Sequence, residues 1–376
     1  MTLTELIREK AYDLGFDLMG VAPASRAPHA DAFASWVEAG FAASMGYMKR
    51  NIERRQDPRQ VLPGARSVVV VGLSYFTVDP ADDLWNDPSR GRISRYAWGP
   101  DYHDVLIRRL DQLAAFIARN AHGDIRHRAY VDTGPVLERD FAAQAGLGFI
   151  GKNTCLISPT LGSCLFLGEV LVNVDLEYDA PAANAGERID VLCSEVPQGT
   201  QLGRQPTRSP RRRVGSCGAC TRCLTACPTG ALMAPYILDS SRCISYLTIE
   251  LKGTIPSHLR PSMGNWIFGC DECQSICPWP RRFARPTGER FIQNDPEWCA
   301  PRLLDLIAMD ERAFQARFAG GPVLRAKRRG LLRNVAIALA NWGDPRAMPA
   351  LQRATEDPEP LVREHAAWAM AHIRLK

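Results

Sequence analysis

Apolar side chains recur at helical spacing over residues 3–14, with Leu3, Leu6, Ile7, Ala11 and Leu14 on one side. Thr2 and Glu5 form a capping-box pattern ahead of them, and Gly15 a stop behind them. The rhythm changes at "SVVVVGLSY" from Ser67, whose run of valines predicts a buried strand. Helical spacing returns in "DYHDVLIRRLDQLAAFIARN" from Asp101. "HRAYVDTG" from His127 reads as a short strand ending in a turn. "PVLERDFAAQAG" from Pro135 reads as a helix with proline at its start and glycine after its end. "TCLISP" and "CLFLGEVLVNV" are further strands. Residues 1–178 therefore predict one α/β-type domain around a sheet.

Residues 179–215 lose both periods. They are rich in Pro, Gly, Arg and Ser and read as a long surface loop or linker. A cysteine-rich segment follows, taken as residues 216–290. Residues 300–376 are helical again. "RNVAIALANWGDPRAMPAL" and "REHAAWAMAHI" look like two units of a HEAT-type repeat, too short an array to stand alone and so expected to pack on the rest of the chain. The fold class is thus α+β with three parts: an α/β domain, a cysteine-rich segment and a helical repeat.

Composition changes this picture little. The chain has 376 residues, is 46% hydrophobic and carries a formal charge of +5, too mild to identify a partner. The first residues lack the apolar core of a signal peptide and a twin-arginine pair, and no apolar run is long enough to span a membrane. The expectation is a cytoplasmic protein, where twelve cysteines point to metal rather than disulfides.

Eight of those cysteines have a pattern. Cys217-x2-Cys220-x2-Cys223-x3-Cys227-Pro228 matches the bacterial ferredoxin run, whose fourth cysteine ligates the other cluster. Cys270-x2-Cys273-x3-Cys277-Pro278 is a second run without its first cysteine, and Cys243 is the substitute. Crossed ligation gives one [4Fe–4S] cubane Cys217, Cys220, Cys223 and Cys277, and the other Cys270, Cys273, Cys243 and Cys227. The prolines are expected to turn the chain away after each crossing ligand. Structural zinc is the rival reading, but zinc favours paired C-x2-C knuckles. Cys155, Cys164, Cys193 and Cys299 have no partner spacing and read as small buried side chains.

Two clusters make an electron wire, and the domain ahead of them is where it would end. No GxGxxG opens a helix there, so a dinucleotide site is not indicated. "GLGFIGKN" at 146–153 suits close backbone contact with a large cofactor, or an ordinary tight turn.

"YVDTGPVLERDFAAQAGLGFIGKNTCLI", "CGACTRCLTACPTGAL", "CISYLTIE" and "GCDECQSICPW", with "RYAWGPDYHDVL" and the helical tail, resemble the epoxyqueuosine reductase family over nearly the whole chain. The stretch 179–215 is longer than the family leads one to expect. The resemblance implies cobalamin in the first domain beside two [4Fe–4S] clusters. It implies reduction of the epoxide of epoxyqueuosine at the wobble position of tRNA to queuosine. It implies that Asp132 of "VDTG" is the catalytic acid, with a pKa raised by partial burial; the structural alternative is a turn cap before Pro135. For cobalamin contacts it points to Arg55, Arg95, Ile150, Lys152, Asn153, Leu156, Leu167 and Ser245, besides Asp132. His103 lacks metal-ligand spacing. For tRNA, Arg325, Lys327, Arg328, Arg329 and Arg333 of "VLRAKRRGLLR", with Lys252, are the candidate phosphate contacts, or else a solvated helix face. A flavodoxin or ferredoxin is the expected reductant, and the protein is expected to act as a monomer without a membrane. The competing readings are a reductive dehalogenase-like enzyme, a non-enzymatic electron-transfer protein and an RNA-binding module with structural zinc.

Overall fold

The computed structural model describes residues 1–78, 80–181, 215–286 and 295–375. Most of the predicted linker, with Cys193, lies outside the described residues.

The first unit builds outward from one strand. Helix α1 (Leu3–Asp13) is closed by the predicted capping box, Thr2 and Glu5 each bonding the other's backbone. It precedes β1 (Leu18–Pro23). Strand β2 (Ser67–Ser74) is buried along its whole length, as its valine run requires. Then come α2 (Tyr102–Asn120), β3 (His127–Tyr130), α3 (Glu138–Gln144) and β4 (Leu165–Val172). The sheet order is β1-β2-β4-β3, with every neighbour antiparallel. This four-stranded sheet is therefore of the α+β kind, with none of the parallel pairing that α/β implies. Val69 and Val71 meet α1 and α2 through Ile7, Ala11, Leu106, Leu110 and Leu113. Val68 and Val70 face the other way, against Phe141 and Ala142 of α3. Each such fully buried side chain contributes about 1.5–3 kcal/mol, so β2 anchors the unit.

One predicted helix is shorter than its sequence pattern. It begins at Glu138, and residues 131–136 form a tight turn instead. Two contacts hold the turn just ahead of it. The Arg55 guanidinium donates to Gly134 O at 3.2 Å. Gly134 also lies so close to Tyr130 that a Cβ there would stand 2.5 Å from the ring.

The cysteine-rich unit holds short elements, including α4 (Ile244–Ile249) and β5 (Trp266–Phe268). Pro278 does more than turn the chain: it opens the helix Pro278–Phe283, with Cys277 as its cap. The C-terminal helices α5 (Lys327–Trp342), α6 (Met348–Ala354) and α7 (Pro360–Arg374) form the repeat. As expected, the array packs on the body. Leu331, Val335 and Leu339 share a core with Trp98, Ile267 and Phe268. Asn334 Nδ2 donates to Thr248 O at 2.9 Å and Ile267 O at 2.8 Å, stitching α5 to α4 and β5.

Candidate functional site

Cys217, Cys220, Cys223 and Cys277 line one small pocket, with Asn153, Ile157 and Trp279. These four come from two runs about fifty residues apart in sequence, the grouping that crossed ligation requires. Cys277 feels the charge of the other three, and burial pushes its thiol up to about 12. Burial likewise raises Cys217 and Cys223. Iron bonding is what favours thiolates in such surroundings. The second set is also grouped: Cys243 interacts with Cys227, and Cys270 and Cys273 both interact with Cys243. Backbone amides point at both sets, Lys152 N–H at Cys217 Sγ (3.4 Å) and Ala231 N–H at Cys227 Sγ (3.2 Å).

The glycine-rich loop serves these cysteines. Lys152 Nζ donates to Gly218 O and Cys220 O, at 2.7 and 3.1 Å. Asn153 Nδ2 donates to Cys273 O at 3.3 Å. Lys152 and Asn153, expected at the cobalamin, thus stand at the cysteine segment. Leu156 is buried in the core beneath α3, and Ile150 pairs with it across a two-residue ladder. Cys155, read from the sequence as a small buried side chain, is hydrogen-bonded to Cys273. No spacing rule could have found it, because the contact is made by the fold of the 149–157 hairpin.

A much larger cavity, of about 1140 Å³, lies between the first unit, the cysteine segment and the start of the repeat. Ordinary small-molecule pockets run to roughly 300–1,000 Å³. Arg55, Asp132, Leu167 and Ser245 line it, and so do Cys243 and Arg325. Arg95 is buried behind the wall. Its backbone N–H donates to Asp271 Oδ2 at 2.7 Å, and its guanidinium lies over Phe76 and Trp98.

Asp132 sits at a strained point, with φ +55° at a non-glycine residue. Its side chain is 58% exposed, more open than the partial burial expected of it. Residues that sequence reasoning passed over surround it. Tyr102 Oη donates to Asp132 Oδ2 at 2.6 Å. Burial and the Asp132 charge push the Tyr102 phenol well up, so it keeps its proton. The Tyr102 ring stacks on Phe166 with 4.3 Å between centroids and 4° between planes. His103 Nε2 lies 3.8 Å from Asp132 Oδ2, while its Nδ1 bonds Asp101 at 2.6 Å. The signal was present in "DYHDV". An Asp at the cap and a Tyr-His pair in the first turn place polar groups at the sheet's cavity end.

A large cofactor with an apolar ring and polar rim fits this wall. Met45, Met48, Leu165, Phe166 and Leu167 supply the apolar part. Among the described residues Arg55 Nε is buried without a hydrogen-bond partner, and such an orphan donor calls for an acceptor.

The basic segment is only partly as expected. Arg325 lies at the cavity rim, paired with Glu250 at 2.7 Å, and Lys327 is exposed. Lys252 Nζ turns inward to Ile249 O (2.9 Å) and Arg325 O (3.5 Å). Arg328 is buried and paired with Asp357, and its Nε donates to Met309 O at 2.7 Å. Arg333 is 0% exposed and donates to the carbonyls of Leu247, Leu251 and Gly253. Both are tie-points of the repeat rather than phosphate contacts. Helical spacing turns them inward although their charge marks them as surface.

Comparison with known proteins agrees with this layout. Residues 55–133 match the family model described as epoxyqueuosine reductase QueG, DUF1730. Residues 216–280 match the 4Fe-4S double cluster binding domain, which replaces the zinc reading, and residues 322–376 match HEAT repeats. An epoxyqueuosine reductase from Pseudomonas aeruginosa is 38% identical over 98% of this chain and 94% of that protein. A crystal structure of epoxyqueuosine reductase with an epoxyqueuosine-modified tRNA-Tyr stem loop is 33% identical, with a TM-score of 0.82 over 99% of this chain and 90% of that one. A structure from Bacillus subtilis, with its aspartate catalytic loop swung out of the active site, is 32% identical with a TM-score of 0.82 and the same coverage.

Proposed function

The chain belongs to the epoxyqueuosine reductase family, and on that premise we propose that it reduces the epoxide of epoxyqueuosine at the wobble position of tRNA to give queuosine. The observation that carries this reading is the adjacency of two sites. Cys243, a ligand of the second cysteine set, lines the same large cavity as Asp132. Electrons arriving at that set are delivered at the cavity wall.

Cobalamin bound in the cavity supplies a metal centre that accepts electrons singly and acts on the carbon–oxygen bond. Arg55, Leu167 and Ser245 are the wall residues to hold it, with Arg95 supporting from behind and the 150–156 loop joining the wall to the clusters. The eight cysteines hold the two [4Fe–4S] clusters. Asp132 is the acid that protonates the departing oxygen. Tyr102 fixes its carboxyl through the 2.6 Å hydrogen bond, with His103 Nε2 3.8 Å away.

A modified base must leave its stack to reach such a cavity, and an anticodon loop permits this. Arg325 at the rim and Lys327 beside it are the phosphate contacts. A flavodoxin or ferredoxin supplies the electrons, in the cytoplasm, to a monomer. No helix among the described residues is long and apolar enough to cross a membrane. The four-part division at residues 178, 215 and 300 belongs to the same reading.

Mass spectrometry of nucleosides from epoxyqueuosine-containing tRNA, incubated with the chemically reduced, cobalamin-loaded protein, tests it. Queuosine should replace epoxyqueuosine. Unchanged epoxyqueuosine in the presence of intact clusters and bound cobalamin would refute the assignment.

A further inference from the structure

Loss of an epoxide oxygen as water consumes two electrons and two protons. Both carbon–oxygen bonds break and a double bond forms between the two ring carbons. The clusters furnish the electrons, but one carboxyl furnishes only one proton.

The cavity wall carries a second carboxyl. Glu138 opens α3, six residues after Asp132, and lines the same cavity. Behind it lies Glu169 of the central strand β4, 0% exposed. Side chains alternate along a strand, so Glu169 shares a face with Leu165, Leu167 and Leu171, the face that packs on Phe141 and Ala142 of α3. Helix α3 packs against β4. Among the described residues neither carboxyl oxygen of Glu169 has a hydrogen-bond partner. A carboxylate buried in this way is strongly disfavoured, and the neutral acid is the stable form.

We propose that Glu138 is the second proton donor of the reaction, and that Glu169 is a positioning acid behind it with which it shares a proton store. The proposal rests on the reading of Asp132 as the first donor. Asp132 protonates the oxygen as the first carbon–oxygen bond breaks. Glu138 protonates the resulting hydroxyl as the second breaks, and water leaves. Two carboxyls that feel each other do not both ionise readily, so this wall retains a proton at neutral pH. Burial, then the nearby charge of Asp132, pushes Glu138 up to about 8, against the pull of Arg139 and Arg55. Glu169 is raised by burial, Glu138 and Asp132. The charged groups facing Glu138 are Asp132, Arg139 and Arg55, and Glu169 lies beyond them as a neutral acid.

The test uses cluster-loaded protein with Glu138→Gln and Glu169→Gln. Infrared spectra at neutral pH should show protonated-carboxyl carbonyl bands that the two variants remove one at a time. The Glu138 band should fade as pH rises through about 8. With cobalamin bound and a chemical reductant, wild-type turnover should fall over that same interval. Glu138→Gln should run at least roughly a hundredfold slower, a typical general-acid loss, and lose this pH limb. Glu169→Gln should keep the limb where it is, because one neutral side chain replaces another, and remove only its own carboxyl band. Glu138→Asp, which keeps an acid, should retain the limb and serves if the Gln variant fails to fold. A Glu138→Gln enzyme with wild-type turnover and pH limb, or with its full set of carboxyl bands, overturns the proposal. Failure of the parent reading looks different: Asp132→Asn would turn over normally while the infrared bands stayed in place.

Discussion

The pocket for the first cluster is walled by four thiols from two short runs, held by turns a few residues long. The large cavity takes its wall from residues spread between Met45 and Arg325, contributed by every part of the fold. One site needs its own loops, its iron and one hairpin of the first unit, through Lys152, Asn153 and Ile157. The other needs the sheet, α4 and the start of the repeat all in place. Damage to the first should therefore be local and total, whereas damage to the second should be graded by distance from Asp132.

The sharpest break in this contrast is loss of a crossing ligand. Cys277 lies in the second run but lines the first pocket. Cys277→Ala should lower iron from about eight to about four per chain and erase the cluster held by Cys217, Cys220 and Cys223. Iron analysis and electron paramagnetic resonance of the reconstituted protein read both. Cys299→Ala should keep all the iron, since Cys299 is buried in the core shared with the repeat. Retention of about eight irons in Cys277→Ala would undo the crossed assignment.

Next in size is Asp132. Asp132→Asn should keep clusters and cobalamin while turnover falls by about a hundredfold or more. Tyr102→Phe should cost less, about 0.5–1.5 kcal/mol, because it removes one hydrogen bond to a carboxyl that acts in its protonated form. Single-turnover rates compare the two. Equal losses would mean that Tyr102 acts as an acid itself.

The same contrast decides what the sequence could show. Ligand spacing is a local property, and the standing together of Cys217, Cys220, Cys223 and Cys277 in one pocket is the arrangement that "CGACTRC" and "CDECQSIC" suggest. The capping box at Thr2, the buried strand at Ser67 and the packing of the helical tail were legible for the same reason, since each is written in neighbouring residues. The cavity was not. Tyr102, Glu138 and Phe166 come to one cavity with Asp132 only after α2, α3 and β4 assemble, and no single stretch records that. Cys155 meets Cys273 across more than a hundred residues. The turn in "VDTG" was legible, but the helix expected from Pro135 opens three residues later, at Glu138. Lys152 and Asn153 were singled out as site residues but stand at the cysteine segment, because a glycine-rich loop gives no hint of which neighbour it will touch.

The smallest effect concerns the basic segment, where the cavity rim meets the repeat. Charge alone gave Arg325, Lys327 and Arg328 equal standing. Their surroundings separate them. Arg325 and Lys327 reach solvent at the rim, and Arg325 shares its charge with Glu250. Arg328 is buried, and its guanidinium grips Asp357 and the carbonyl of Met309. Removing one cation from the phosphates of a single-stranded segment should reduce the slope of log affinity against log salt by about 0.7. Arg325→Gln with Lys327→Gln should therefore lower the slope by roughly 1.4, less the part of Arg325 already neutralised by Glu250. Arg328→Gln should leave the slope alone and instead lower thermal stability, because it strands Asp357 in a largely buried site. Titrations of a tRNA stem loop at several salt concentrations, beside melting curves, distinguish the two. If Arg328→Gln flattened the slope while Arg325→Gln with Lys327→Gln did not, the rim would not be the phosphate-binding face, and the repeat would meet tRNA through its buried-side helix ends after local opening.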